Sequence, residues 1–123
     1  MAITQSVADY LEAIMMLQKE KVNVRNVDIA NHFGYSRPTV SQTLKTFRAK
    51  GYVEVNEDGF VALTELGREI AQSTYEKHLV LTGLLKAIGV SEETAKEDAC
   101  KLEHDISDEP FEAIKRVYQQ MKK

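Results

Sequence analysis

The stretch Asn26–Val53, NVDIANHFGYSRPTVSQTLKTFRAKGYV, constrains the fold more than any other part of the chain. Val27, Ile29, Ala30 and Phe33 recur at helical spacing, and Gly34 stands where a helix closes on a left-handed residue. Ser36 is then a good N-cap for a second helix, with Pro38 in its first turn, where a missing N–H costs nothing. Val40, Leu44 and Phe47, at i, i+4 and i+7, form the buried stripe of that helix. From Ser36 to Lys50 it holds four basic residues (Arg37, Lys45, Arg48, Lys50) and no acid.

A short alternating strand, Gly51–Val55, follows at once. Asn56–Gly59 is a polar turn and Phe60–Leu63 a second strand, and Asp-Gly is a strong hairpin signal. Two helices joined by a tight turn and followed by a hairpin read as a winged helix-turn-helix. An ordinary helical hairpin with a solvated basic face is the alternative, and the hairpin argues against it. A helix-turn-helix presents the N-terminal half of its second helix to base edges in the major groove. The expected DNA-contacting residues are therefore Arg37, Pro38, Thr39, Ser41, Gln42 and Lys45. Gln42 suits an adenine edge, Thr39 a thymine methyl, and the basic side chains suit phosphates.

A length of 123 residues allows one or two small domains, and 43% hydrophobic residues supports a packed core. No segment approaches the roughly 20 apolar residues that span a bilayer. The N-terminus, MAITQSVADY, leads straight into a helix pattern rather than a signal peptide, and a single cysteine cannot form an internal disulfide. A cytoplasmic location is expected. The net charge of −3 is unusual for a DNA binder, but residues 1–63 are balanced at seven basic and seven acidic side chains. The deficit lies in residues 64–123, with nine and twelve.

Ser6 to about Lys19 reads as a first helix, with Val7, Leu11 and Ile14 on its core face and Tyr10 and Leu17 beside them. Ser6 and Asp9 have capping-box spacing. At roughly 100° per residue, Asp9 and Glu12 fall together on the opposite side. Glu20–Arg25 is a loop in which Val22 and Val24 can form a short extended segment. Thr64 caps a long helix, Glu65 to about Ile88, stopped by Gly89. Its second half, from His78, is so apolar that it calls for a further packing surface, for which a subunit interface is the natural candidate. Ser91 starts another helix with Ala95, Ala99, Leu102 and Ile106 as its core stripe. Ser107 caps the last helix, with Phe111, Ile114, Val117 and Tyr118 inward. The expected architecture is mainly α: a winged helix-turn-helix domain over residues 1–72 and a helical metal-binding and dimerisation domain over 73–123.

Cys100, Glu103 and His104 put thiolate, carboxylate and imidazole at i, i+3 and i+4 on one side of one helix, so that they can converge on a single ion. This mixed donor set fits a first-row transition metal better than calcium or magnesium. A buried cysteine beside a solvated Glu-His pair is the bland alternative. Asp9, Glu12 and His78 are the further candidate ligands.

Five segments together resemble the iron- and manganese-dependent repressors related to the diphtheria toxin repressor and the manganese transport regulator. They are SVADYLEAI, DIANHFGYSRPTVSQTLKTFRAKGYV, LTELGREIA, Glu76–Leu79 and DACKLEHDIS, spanning about Ser6 to Ile114. The resemblance implies a metal-activated homodimer on operator DNA, in a short form without the SH3-like domain of longer members. Within it, Cys100, Glu103 and His104 look like the iron-type primary site, whereas Asp9, Glu12 and His78 match manganese-type ligands. The position of Cys100 is a carboxylate in the manganese type. Thr82 and Lys96 replace the partners of His78 at the iron type's ancillary site. The metal expected is Fe²⁺, with Mn²⁺ close behind. An ion shared between ligands of both domains would set the orientation of the two recognition helices, and so the fit to half-sites about one helical turn apart. Two rivals remain: a metal-independent winged-helix regulator responding to a small ligand or protein partner, and an enzyme with a Cys/Glu/His centre. The chain shows no Gly-rich phosphate loop and no nucleophile elbow to support the latter.

Overall fold

The computed structural model describes residues 5–122, with side chains from Ser6 onward. The elements run α1 (Gln5–Glu20), α2 (Asn26–Phe33), α3 (Arg37–Ala49), β1 (Val53–Val55), β2 (Val61–Leu63), α4 (Glu65–Ala87), α5 (Glu92–Asp105) and α6 (Asp108–Met121). They form two compact units, Met1–Gln72 and Ser73–Lys123. No helix among the described residues is long and apolar enough to cross a membrane.

In the first unit α2 packs on α3 and α1, and the hairpin lies against α3 and α1. Gly34 adopts φ 74° and closes α2 by donating its N–H to the Ala30 carbonyl at 2.8 Å. Two residues later the Ser36 hydroxyl accepts from the Thr39 N–H at 3.3 Å, and Pro38 occupies the first turn of α3. Strands β1 and β2 pair antiparallel in the register Val53↔Leu63, Glu54↔Ala62, Val55↔Val61. Leu11, Ile14, Val24, Ile29 and Val40 are almost completely buried, and such a side chain is worth roughly 1.5–3 kcal/mol. An aromatic row crosses this core: Tyr10 stacks on Phe33 at 4.9 Å and meets the Phe47 edge at 5.3 Å, and Phe33 stacks on Tyr35 at 5.1 Å.

Some sequence expectations shift. Gln5 is already helical, so Ser6 lies within α1 and is not its N-cap. Val27 is exposed rather than core. Of the expected extended pair in the loop, only Val24 is used: it bridges Val61, whose N–H reaches the Val24 carbonyl at 2.7 Å. Val22 is 97% exposed. The capping box at α2 is made by Asp28, which accepts from the Arg25 N–H at 2.9 Å and is also held by Lys21. These contacts, the Lys21 hydrogen bond first, keep the Asp28 carboxyl below its usual range.

In the second unit Val80, Leu81, Ala99 and Phe111 form the core, with Ile106, Ile114 and Tyr118 packed against it. Ser91 caps α5, its hydroxyl accepting from the Thr94 N–H at 3.4 Å. Ser107 stands at the N-cap of α6 but makes no side-chain cap bond. Leu102 and Val117, both expected in the core, are 42% and 52% exposed. The buried stripe of α5 runs instead through Ala95, Ala99 and Glu103, at i, i+4 and i+8, which turns Leu102 outward. Lys115 joins Glu76 at 2.9 Å and ties α6 to α4.

The start of α4 is locked to the hairpin root. The Thr64 hydroxyl donates to the Gly51 carbonyl and accepts from the Gly67 N–H at 3.1 Å, while the Thr64 N–H reaches the Tyr52 carbonyl at 3.0 Å. A Cβ at Gly67 would lie 2.1 Å from that same Tyr52 oxygen. Gly67→Ala is therefore expected to destabilise the protein by about 1–3 kcal/mol, because backbone rather than a flexible side chain must move. Urea denaturation checks this. A midpoint equal to wild type would show that the α4 start is not locked against Tyr52.

Candidate metal centre and nucleic-acid face

Three ligand atoms of α5, from Cys100, Glu103 and His104, all lie within 4.8 Å of one another. The helix brings them together because i, i+3 and i+4 share a side. Glu103 is the unusual member. It occupies a core-stripe position and is only 4% exposed, although carboxylates are almost never buried without charged or hydrogen-bonding neighbours. Its two oxygens face imidazoles: Oε1 is 3.2 Å from His104 Nε2, and Oε2 is 3.3 Å from His78 Nδ1 of α4. Burial first, and the nearby Lys96 ammonium second, hold His78 below the usual imidazole range. A neutral imidazole keeps a lone pair for a metal. Thiol, carboxylate and imidazole within one small volume make a chelating donor set, and the residues present fit a divalent transition-metal ion.

His78 is thus brought to Glu103, but the compact three-residue set does not include it. Asp9 and Glu12 are half-buried on α1, in the first unit. Burial raises the pKa of Glu12, and the negative charge of Asp9 raises it further. Glu12 Oε2 is buried and lacks a hydrogen-bond partner among the described residues. Two carboxylates so arranged gain from a cation.

On the other face of the first unit, Arg37, Pro38, Thr39, Ser41, Gln42 and Lys45 are all exposed on α3, while Val40, Leu44 and Phe47 are buried beneath them. Two of the six also have structural work. The Thr39 hydroxyl lies 2.8 Å from that of Ser36, and the Ser41 hydroxyl accepts from the Asn26 side-chain amide at 2.8 Å. The same amide donates to the Arg37 carbonyl at 3.1 Å, so Asn26 fastens α2 to α3. Nothing in the local sequence marks Asn26 for that task, because its partners lie 11 and 15 residues away.

Residues 2–61 match the model of the iron-dependent repressor N-terminal DNA-binding domain, and residues 64–123 match that of the iron-dependent repressor metal-binding and dimerisation domain. The transcriptional regulator MntR of Escherichia coli O6:H1 is 37% identical over 107 residues, covering 87% of this chain and 69% of that protein. An uncharacterised helix-turn-helix regulator of Methanocaldococcus jannaschii is 34% identical over 122 residues, covering 98% of both. Among solved structures, a manganese-dependent transcriptional repressor in complex with manganese superposes with a TM-score of 0.79 at 27% identity, covering 92% of this chain. The chain spans about half, 52%, of that solved structure's length.

The Asp9–Glu12 pair generates a pH prediction for the metal-free protein. A carboxyl whose folded pKa is raised favours the folded state at pH below its unfolded pKa, and that contribution is lost as pH rises through the folded value. Asp9→Asn removes the smaller cause and leaves burial, so the Glu12 pKa should fall part of the way back. Carboxyl-carbon NMR titration follows it directly. An unchanged Glu12 titration in the variant would show that the two charges do not interact.

Proposed function

Because the chain belongs to the iron-dependent repressor family, we propose that it is a metal-activated transcriptional repressor of metal-ion homeostasis, binding operator DNA as a homodimer. The observation that carries this reading is the coexistence of a clustered donor set, Cys100, the buried Glu103 and His104, with an exposed face on the second helix of the helix-turn-helix. Exposed apolar side chains of the second unit (Leu79, Ile88, Leu102, Val117 and Met121) support the homodimer, since a second copy would cover them.

Cys100, Glu103 and His104 are the proposed ligands of the second unit, with His78 beside them. Asp9 and Glu12 are the proposed ligands of the first. Divalent ions at these groups would supply positive charge to carboxylates that are buried or repel one another. The chain's own residues do the rest. Gln42 and Thr39 would read base edges from the N-terminal half of α3, Arg37 and Lys45 would meet phosphates, and Ser41 and Pro38 would shape the surface between them. The Cys100 thiolate favours Fe²⁺ over the harder Mn²⁺, whereas Asp9 and Glu12 favour Mn²⁺, and iron is the first choice.

Replacing Asp9 or Glu103 by Ala should abolish metal-dependent DNA binding and leave the dimer folded. Anaerobic fluorescence anisotropy with DNA from upstream of the protein's own gene, before and after adding Fe²⁺ or Mn²⁺, measures the first. Sedimentation and circular dichroism check the second. Variants that still bind DNA in the same metal-dependent way would show the ligands to be misassigned.

A further inference from the structure

A cavity of about 290 Å³ opens on the first unit where the loop after α1 meets the hairpin, and no residue of α3 lines it. The bridged pair Val24 and Val61, both buried, lies at its base. Phe60, Ala62 and Glu54 form its hairpin side, and Ala62 and Glu54 are exposed. Val22 stands on the loop side and is 97% exposed, so it borders the cavity of its own chain without filling it. The two sides carry opposite charge. Residues 51–63 of the hairpin hold Glu54, Glu57 and Asp58 and no Lys or Arg. Residues 19–25 hold Lys19, Lys21 and Arg25 against Glu20 alone. Arg25 lies at this cavity, its guanidinium 4.5 Å above the Phe60 ring.

We propose that a second copy of the chain docks here about a two-fold axis. Val22 of each copy enters the other's cavity, and the basic loop of each lies on the other's acidic hairpin. A two-fold contact has to be self-complementary, with both halves of every pairing on one patch. This patch meets that condition twice, with an apolar knob beside an apolar hole and a cationic rim beside an anionic one. A partner of a single charge sign would instead meet like charge on one side of the cavity. One side chain per cavity makes a small contact, so it is weak and sensitive to salt. In the proposed function the second unit makes the homodimer, and the contact on the first unit then joins homodimers to one another. Neighbouring sites on DNA would bring its two halves together at high local concentration. The inference goes beyond the repressor reading and requires neither metal nor DNA.

Sedimentation equilibrium of the full chain without DNA tests this, up to roughly millimolar concentration, in low and high salt and with or without Mn²⁺. Wild type should show a step from dimer to tetramer that high salt weakens. Val22→Asp, which carries a charge into the cavity, should abolish that step. Arg25→Glu and Glu54→Lys should each weaken it several-fold. The double variant should recover it, since each reversed charge then meets its reversed partner across the axis. Circular dichroism and urea denaturation confirm that the variants remain folded. Wild type that stays dimeric throughout overturns the proposal, as does association that survives Val22→Asp. Weakening in both single variants without recovery in the double one overturns the two-fold arrangement. Wild type that stays dimeric while its Val22 and Phe60 resonances shift on adding oligoarginine would assign the cavity to a foreign basic partner instead. A monomer-to-dimer step with the same sensitivities would count against dimerisation by the second unit and leave this contact standing. A chain that makes the step but binds no DNA with Mn²⁺ or Fe²⁺ would count against the repressor reading alone.

Discussion

A carboxylate buried in a helix core stripe is the constraint on which the second unit depends. A carboxyl group taken out of water is costly unless polar groups meet it, and Glu103 is placed where such groups do. Among its surroundings are two imidazoles and a thiol: His78 and His104 approach its two oxygens, and Cys100 lies on the same side of α5. Groups of that kind can exchange protons for a metal ion, and an ion bound there would tie metal affinity to the stability of the unit that carries it. Ala95 and Ala99 are buried in the same stripe of α5 as Glu103.

The first unit solves a different problem, that of holding a surface helix rigid while its outer face stays bare. Val40, Leu44 and Phe47 anchor α3 from below, and the Asn26 amide clamps it from the side at Ser41 and Arg37. The Ser36 and Thr39 hydroxyls fix its first turn. The hairpin is fastened in turn through Val24, Thr64 and the close approach of Gly67 to Tyr52. Of the outward-facing residues Thr39 and Ser41 share in that support, while Gln42 and Lys45 stay exposed above it.

The sequence makes most of this legible because its signals are local. Gly34, Ser36 and Pro38 mark a helix end and a helix start through backbone chemistry that needs no tertiary context. The i, i+3, i+4 placement of Cys100, Glu103 and His104 follows from helix geometry alone. What stays hidden depends on partners distant in the chain. Leu102 reads as part of the core stripe and Glu103 as a ligand beside it, yet Glu103 takes the buried place after Ala95 and Ala99 while Leu102 is exposed. Hydrophobicity alone favours the leucine. Val117 is exposed for a related reason, since Phe111, Ile114 and Tyr118 already fill the face that α6 turns inward. Asn26 bridges residues 11 and 15 positions away, which no periodicity reveals. Nor does spacing disclose that Glu12 is desolvated and Asp9 charges it further, although helix geometry does put the two on one side.

The central claim is that Cys100, Glu103 and His104 form one chelating centre, and Co²⁺ absorption spectroscopy on the anaerobic protein tests it most directly. A bound Co²⁺ with a thiolate ligand gives a sulfur-to-metal charge-transfer band together with ligand-field bands that report its geometry. The account predicts that the charge-transfer band appears on titration and saturates. It should vanish in Cys100→Ser while weaker ligand-field bands remain, and both should disappear in Glu103→Ala. A charge-transfer band that persists in Glu103→Ala, or a wild-type protein that takes up Co²⁺ with no thiolate band at all, would contradict it.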